Sequence, residues 1–430
     1  MSNPLRIAVA GLGTVGVGVV KILETHKDLI QSRCGRAIEI VAVSANNRVR
    51  DRGVDLTGYQ WFDNALDFAG LDDVDVVVEL IGGSDGIAKE LAQKSIASGK
   101  SFVTANKALI AHHGATLANA AQEAGVAVRY EAAVAGGIPI IKAIGEGLAA
   151  NRLNLVYGIL NGTCNYILTT MEAKGQGFDE VLAEAQRLGY AEADPTFDVD
   201  GIDTAHKLAI LSSVAFATET DFDHVYTEGI RRIEAVDIEY AREIGYRIKL
   251  LGISRLTDKG LEQRVHPAMV KVEEPIAQVE EAFNAVVAEG DFIDRTFYQG
   301  RGAGQGPTAS AVVADIIDIA RGHSGPAFFV PADQLTKAKP VSISEHEGAY
   351  YIRLHVQEKS GVIADITSVL KDHNVSLDVM LQKGHEQDGS VYIVLVTHKI
   401  QEKVLSEALA GIGALSSVQE EPLAIRIENL

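Results

Sequence analysis

The sequence predicts an α/β protein in three parts: a parallel-sheet domain, an open α+β domain and a compact C-terminal βαββαβ unit. Three observations carry this reading. Short apolar runs alternate with helical patterns up to about residue 135, the grammar of right-handed βαβ units. From about 136 the alternation gives way to several strand-like runs beside helices. From Tyr350 onward the order is strand, helix, strand, strand, helix, strand.

Leu5–Ala10 reads as a buried strand, followed by Gly11-Leu12-Gly13-Thr14-Val15-Gly16 and a helix to about Ile30. Ile38–Ser44 and Val74–Leu80 are further buried strands, the second ended by Gly82-Gly83. Lys89–Ser98 is helical, Ser101–Thr104 a short strand and Asn106–Ala124 a helix. Residues 1–135 thus form the first domain. In 136–304, Ile138–Leu148 reads as a helix, Leu153–Leu160 as a strand, and Phe178–Leu188 and Ile202–Ala215 as helices. Strand-like runs follow at Lys249–Ser254, Gln263–Pro267, Asn284–Glu289 and Asp294–Gln299. Pro307 suits the first turn of a helix to Arg321, expected to return to the first domain, so that 305–325 completes it. The proline-containing stretch 326–348 reads as a linker, and 349–430 as the third unit.

At 430 residues the chain exceeds one ordinary domain, and 47% apolar residues suffice for sizeable cores. A net charge of −19 argues against nucleic acid or an anionic membrane as partner. Cys34 and Cys164 cannot build a disulfide framework, which fits a reducing compartment. No apolar run approaches a bilayer span and no secretory leader precedes the first strand, so a cytoplasmic protein is expected. The histidines are scattered, and no transition-metal site is expected.

Gly11–Gly16 has the GxGxxG spacing between a strand and a helix, the context of a Rossmann-like dinucleotide site. The glycines allow close backbone approach, and the helix N-terminus attracts a pyrophosphate. Cofactor contacts are therefore expected at Gly11, Leu12, Gly13, Thr14, Val15 and Gly16. The second strand ends in Ser44-Ala45-Asn46-Asn47-Arg48, with no acid placed for a ribose 2′-hydroxyl. Arg48 and Arg50 favour the 2′-phosphate of NADP, with NAD also admissible. Read alone, the same arginines suit a solvated loop.

Lys107 opens a helix after a strand, where open α/β sheets bind ligands. Glu192, Asp198, Asp203 and Lys207 cluster further on. Asp203 and Lys207 stand four apart on an apolar helix and share a face. Alone, that pair is equally a structural one. Beside a hydride-carrying cofactor, lysines with nearby carboxylates suit carbonyl reduction, because an ammonium can supply the accompanying proton. Cys164 in Gly162-Thr163-Cys164-Asn165 admits a thiolate nucleophile, but no histidine is paired with it by motif, and a small buried residue is the preferred reading.

At these residues the chain resembles homoserine dehydrogenase, over essentially all of 1–325. The likeness is carried by Gly11–Gly16, Thr104–Lys107, Glu131–Pro139, Leu160–Ile167, Gly189–Pro195, Asp203–Lys207, Gly302–Gly304 and Pro307–Ala311. The C-terminal unit resembles an ACT domain, and no aspartokinase portion precedes the dinucleotide domain, so the monofunctional form is expected. The resemblance implies a substrate-binding and dimerisation role for 136–304. It implies reversible NAD(P)H-dependent reduction of L-aspartate 4-semialdehyde to L-homoserine in threonine, methionine and isoleucine biosynthesis. It places Lys207 as proton donor with Lys107 assisting, and Glu192, Asp203 and Asp198 at the small-molecule substrate. It adds Gly189, Gly304 and Lys107 to the cofactor contacts. It also implies a sodium or potassium ion held by Glu131 with backbone at Val134, Gly136 and Ile138. In the ACT-like unit, Glu358, Gly361, Asn374 and Ser376 are the effector candidates, although Ser360 stands where many members have proline. L-threonine is the expected effector, and a sheet edge that a second copy could extend implies a homodimer or homotetramer. Two other classes stay open: an aldehyde-oxidising dehydrogenase acting through Cys164, and a catalytically silent NADP-binding amino-acid sensor.

Overall fold

A computed structural model describes residues 3–383 and 389–430. In the first domain, β1 (Leu5–Ala10), β2 (Ile38–Ser44), β3 (Gln60–Phe62), β4 (Val76–Glu79), β5 (Ser101–Thr104) and β6 (Val128–Arg129) form one parallel sheet in the order β3-β2-β1-β4-β5-β6. The order reverses between β1 and β4, the switch point where such sheets open a crevice. The expected first helix is two, Thr14–Thr25 and Lys27–Cys34, broken at His26. The helix Gln305–Ala320 lies against Thr14–Thr25, with Val312 and Ile316 in one apolar cluster with Val19 and Val20. Gly18 permits the approach, since a Cβ there would stand 2.8 Å from that of Ala309.

The expected helix Ile138–Leu148 shortens to Ile140–Lys142 and a wide turn over Ala143–Gly147. Tertiary packing overrides periodicity here: the Phe329 ring lies within 2.4 Å of where a Gly145 Cβ would be. Beyond it come β7 (Leu153–Ile159), β8 (Tyr226–Thr227), β9 (Tyr246–Thr257), β10 (Gly260–Lys271), β11 (Phe283–Gly290) and β12 (Asp294–Arg301). β9 and β10 pair along their whole lengths, well past the runs predicted for them. Helices Gly162–Lys174, Phe178–Leu188, Ile202–Phe216 and Ala235–Glu243 bury Ile167, Val181, Leu208 and Ile238 in the main core.

The C-terminal unit contains β13 (Glu347–Gln357), β14 (Leu377–Lys383), β15 (Ser390–Thr397), β16 (Ile400–Gln401) and β17 (Leu423–Glu428), with main order β17-β13-β15-β14. Its helices, Val362–Asp372 and Glu402–Gly413, share a core with Ile352, Leu354 and Ile393. The opposite face, with Tyr351, Val394 and Ile425, joins the main core. The β17 edge is not free for a second copy, because β17 pairs in parallel with β10 and makes one 11-stranded sheet. Buried ion pairs lock that junction. Arg264 holds both Glu428 oxygens at 2.9 Å, Arg426 reaches Glu228 at 2.7 Å, and Arg353 reaches Asp237 at 3.0 Å. Among the described residues, β14 is the edge this unit leaves open.

The stretch expected to be a linker, 326–348, is strapped to the body. Tyr130 donates to the Ala327 carbonyl at 2.8 Å, Phe328 packs on Tyr130, and Leu261 and Lys339 share a 2.8 Å backbone bond.

Candidate active site

Three carboxyl-terminal strand ends build the cofactor side. β1 turns into the glycine loop, where Gly11 has φ +98 and a Cβ would lie 2.4 Å from the Leu80 carbonyl oxygen. A Cβ on Gly16 would meet the Gly11 oxygen at 2.0 Å, whereas Gly13 faces open space at the start of the helix. The loop is therefore closed on the sheet side and open toward a ligand, as a pyrophosphate cradle needs. At the end of β4, Glu79 is fully buried and accepts from the amides of Ile81 and Gly82 and from the Thr104 hydroxyl. At the end of β5, Asn106 caps the helix Lys107–Ala124 by accepting from the Leu109 amide at 3.1 Å. That cap fixes where Lys107 leaves the backbone.

The second domain supplies the other wall. Asn161 follows β7 and caps the helix Gly162–Lys174 through the Cys164 amide at 2.8 Å. Its Nδ2 donates to Asp198 Oδ1 and Asp203 Oδ2, both at 2.8 Å. Asp203 and Lys207 lie on the helix Ile202–Phe216, with Lys207 Nζ 2.7 Å from Asp203 Oδ2 and from the Leu160 carbonyl. Lys107 Nζ stands 3.1 Å from Asp203 Oδ1. Asp203 thus bridges two ammonium groups from different domains. Burial alone would raise its pKa, but the two lysines and the Asn161 amide hold it well below the usual carboxylate range. Asp198 goes the other way, pushed up chiefly by burial.

Lys107, Asp198, Asp203 and Lys207 line a cleft of about 590 Å³ that also receives Val15, Gly136, Gly189 and Gly304. Glu192 is not among the lining residues. Its side chain is exposed, on the loop whose Tyr190 stacks on Tyr166 at the cleft wall. Arg48 and Arg50 are exposed beside the nucleotide loop, Arg48 5.9 Å from the Trp61 ring centre. Arg52, which sequence reasoning missed, donates to the Leu12 carbonyl at 3.1 Å and to the Asn47 carbonyl. Nothing in the sequence separates Arg52 from its neighbours. Asn161 was legible as a polar residue between a strand and a helix, but its carboxylate partners were not.

Cys164 is fully buried, its thiol donating to the Asp198 carbonyl at 3.2 Å, and burial pushes its pKa well above the ordinary thiol value. That is the environment of an inert thiol and speaks against an acyl-forming thiolate.

Glu131 is 1% exposed and accepts from the amides of Ile141 and Lys142 at 2.8 and 3.0 Å. Burial and the neighbouring Asp315 push it up to about 7. Lys142 is engaged with Asp315 and Asp318. Ala135 and Gly136 adopt left-handed backbone in the turn that follows, where the Ala135 and Ile138 carbonyls accept from the Ile138 and Ile140 amides. A buried carboxylate followed by glycine-rich backbone suits a hard, oxygen-seeking cation.

The effector candidates fall at two places. Glu358 and Gly361 lie at the turn before the helix Val362–Asp372, where the Glu358 amide donates to the Gly389 carbonyl. Asn374 and Ser376 lie after it, where Ser376 accepts from the His398 amide. The 11-residue helix between them spans about 16 Å, so one chain does not bring the two pairs together.

Comparison with known proteins gives the same reading. A family model described as homoserine dehydrogenase, NAD binding domain, matches residues 11–131, one described as homoserine dehydrogenase matches 139–317, and an ACT domain model matches 350–415. Homoserine dehydrogenase of Pseudomonas aeruginosa is 47% identical, with 100% of both chains covered, and that of Neisseria gonorrhoeae 44% identical, with 100% of this chain and 99% of the relative covered. The crystal structure of a homoserine dehydrogenase from Thiobacillus denitrificans superposes with a TM-score of 0.93 at 46% identity, covering 99% of this chain and 98% of that one. With matches along its whole length, the chain belongs to the homoserine dehydrogenase family, oxidoreductases with a dinucleotide-binding domain, and carries a C-terminal ACT domain.

Proposed function

We propose that the chain reversibly reduces L-aspartate 4-semialdehyde to L-homoserine, in threonine, methionine and isoleucine biosynthesis in the cytoplasm, with NADPH preferred over NADH. The observation that carries the reading is Asp203 bridging Lys107 and Lys207 at a cleft that opens on the glycine loop. The bound cofactor supplies a hydride to the aldehyde carbon. The aldehyde oxygen gains negative charge as the carbon–hydrogen bond forms. Lys207 spends two of an ammonium's three N–H donors on Asp203 and Leu160, leaving one for that oxygen. It stabilises the alkoxide and gives it a proton, and takes the proton back when homoserine is oxidised. Lys107 adds a second positive charge from the cofactor side. Asp203 holds both ammoniums in place and, with Asp198, offers carboxylate to the substrate amino group. Glu192 would join them only if its loop closed over the cleft. Arg48 and Arg50 favour a 2′-phosphate, and Glu131 with the Val134, Gly136 and Ile138 backbone would hold a sodium or potassium ion that stiffens the domain junction.

The ACT domain is proposed to sense L-threonine. Since one chain separates Glu358 and Gly361 from Asn374 and Ser376, a complete effector site would need a second copy, in keeping with a homodimer or homotetramer that pairs the open β14 edges. Initial rates of homoserine oxidation with NADP and NAD, with and without threonine, test this reading. Absence of homoserine-dependent turnover would refute the activity, and rates indifferent to threonine would refute the regulation.

A further inference from the structure

One polar group in the cleft is unused by the chemistry above. Asn284, near the start of β11, is 1% exposed and lines the cleft together with Gly162, Gly302 and Gly304. Its carbonyl Oδ1 meets no hydrogen-bond donor among the described residues. A buried acceptor is rarely left so, because it loses water and gains nothing in return. The amide is also held in place. It fills the space left by Gly302, where a Cβ would lie 2.1 Å from Asn284 Cγ and Nδ2. A fixed, unsatisfied amide in the wall of a ligand cleft is set up for a partner that arrives with the ligand.

The substrate ammonium is already offered carboxylates, which accept more strongly than an amide. The nicotinamide ring carries a primary carboxamide, and a primary amide is its self-complementary partner: Oδ1 accepts the carboxamide N–H and Nδ2 donates to the carboxamide oxygen. Half a turn of the side chain exchanges the roles and leaves the pair complementary. We infer that Asn284 binds the carboxamide of the nicotinamide ring and thereby fixes which face of the ring meets the substrate. This rests on the NAD(P)-dependent activity proposed above. Its value lies in orientation, since hydride transfer needs the reacting carbons held within about 3–3.5 Å.

The test uses the full-length enzyme, homoserine, and two oxidised cofactors: the dinucleotide the enzyme prefers and its 3-acetylpyridine analogue, in which methyl replaces the carboxamide nitrogen. kcat/KM for each gives a discrimination ratio. Asn284→Leu keeps the count and branching of side-chain heavy atoms and removes both hydrogen-bonding groups, and Asn284→Ala reads the same ratio if the bulkier leucine variant does not fold. One such bond corresponds to a few-fold to about tenfold in rate. The ratio is expected to fall by that factor, chiefly in kcat. The melting midpoint and the affinity for the ring-less ADP-ribose fragment should stay at wild-type values. Equal losses with both cofactors, the ratio unmoved, would overturn the inference and leave Asn284 a packing residue. A wild-type enzyme that oxidises homoserine with neither cofactor would overturn the underlying activity instead.

Discussion

Replacing Lys207 by Met removes the proposed proton donor while keeping an unbranched stem of similar length. Lys207 Nζ lies 2.7 Å from Asp203 Oδ2 and from the Leu160 carbonyl, and the change deletes both contacts with the N–H aimed at substrate. Losing proton transfer costs about 10²–10⁴ in rate, or about 3–5 kcal/mol of barrier. The same ammonium also stabilises the alkoxide, so the upper half of that range is expected in kcat. The fold should suffer less. Breaking a buried pair costs about 3–5 kcal/mol when the survivor is left alone. Asp203 keeps Lys107 at 3.1 Å and Asn161 at 2.8 Å, which lowers the expected loss to about 1–2 kcal/mol. The assay follows the reduced nicotinamide during homoserine oxidation, alongside cofactor affinity and urea unfolding. A folded variant that turns over within about tenfold of wild type would refute the proton-donor role.

Four further outcomes are expected. Replacing Arg48 and Arg50 together by Ala should weaken NADP more than NAD, whereas Arg52→Ala should weaken both, since Arg52 holds the Leu12 carbonyl of the shared loop; paired dissociation constants decide this. Cys164→Ser should retain most turnover, and the buried thiol should resist thiol reagents in the native enzyme; inactivation without unfolding would restore the acyl-transfer mechanism. Deleting 349–430 uncovers the β10 edge and leaves Arg264 without Glu428, so the remainder should lose stability and tend to aggregate; a soluble, fully active truncation would contradict that. Burial pulls Lys249 down to about 8, below its unfolded value of roughly 10.4. The unfolded chain then binds the proton more readily between those values, so stability should rise from about pH 8 to about pH 10.5, with the cost fully present below pH 8. Lys249→Met should raise the unfolding midpoint at pH 7, with the gain fading by about pH 10, because Asn165 still donates to the Val279 carbonyl at 3.1 Å.

Features set by local chemistry were legible in the chain. β1, β2 and β5 are short apolar runs that suit only a sheet covered on both sides, and they fold as read. The glycine loop followed from a spacing that backbone geometry demands, and Asp203 with Lys207 from the helical repeat. Where the outcome hung on contacts distant in sequence, the same rules failed. The periodicity of 138–148 yielded to the ring of Phe329, and the polar stretch 326–348 was read as a tether although backbone bonds to Leu261 bind it down.

The sequence by itself determined the fold class, the dinucleotide loop and the residue types able to move a hydride and a proton, because these rest on local geometry and side-chain chemistry. Only the tertiary structure decided that one carboxylate joins Lys107 and Lys207 across two domains and that Glu192 is exposed on the loop after Tyr190. It also decided that the buried Asn284 Oδ1 lies in the cleft wall with no donor among the described residues, and that the ACT domain shares a sheet with the catalytic part through β10 and β17. Each is a pairing between residues far apart in the chain, settled by strand register and packing, which no local pattern encodes.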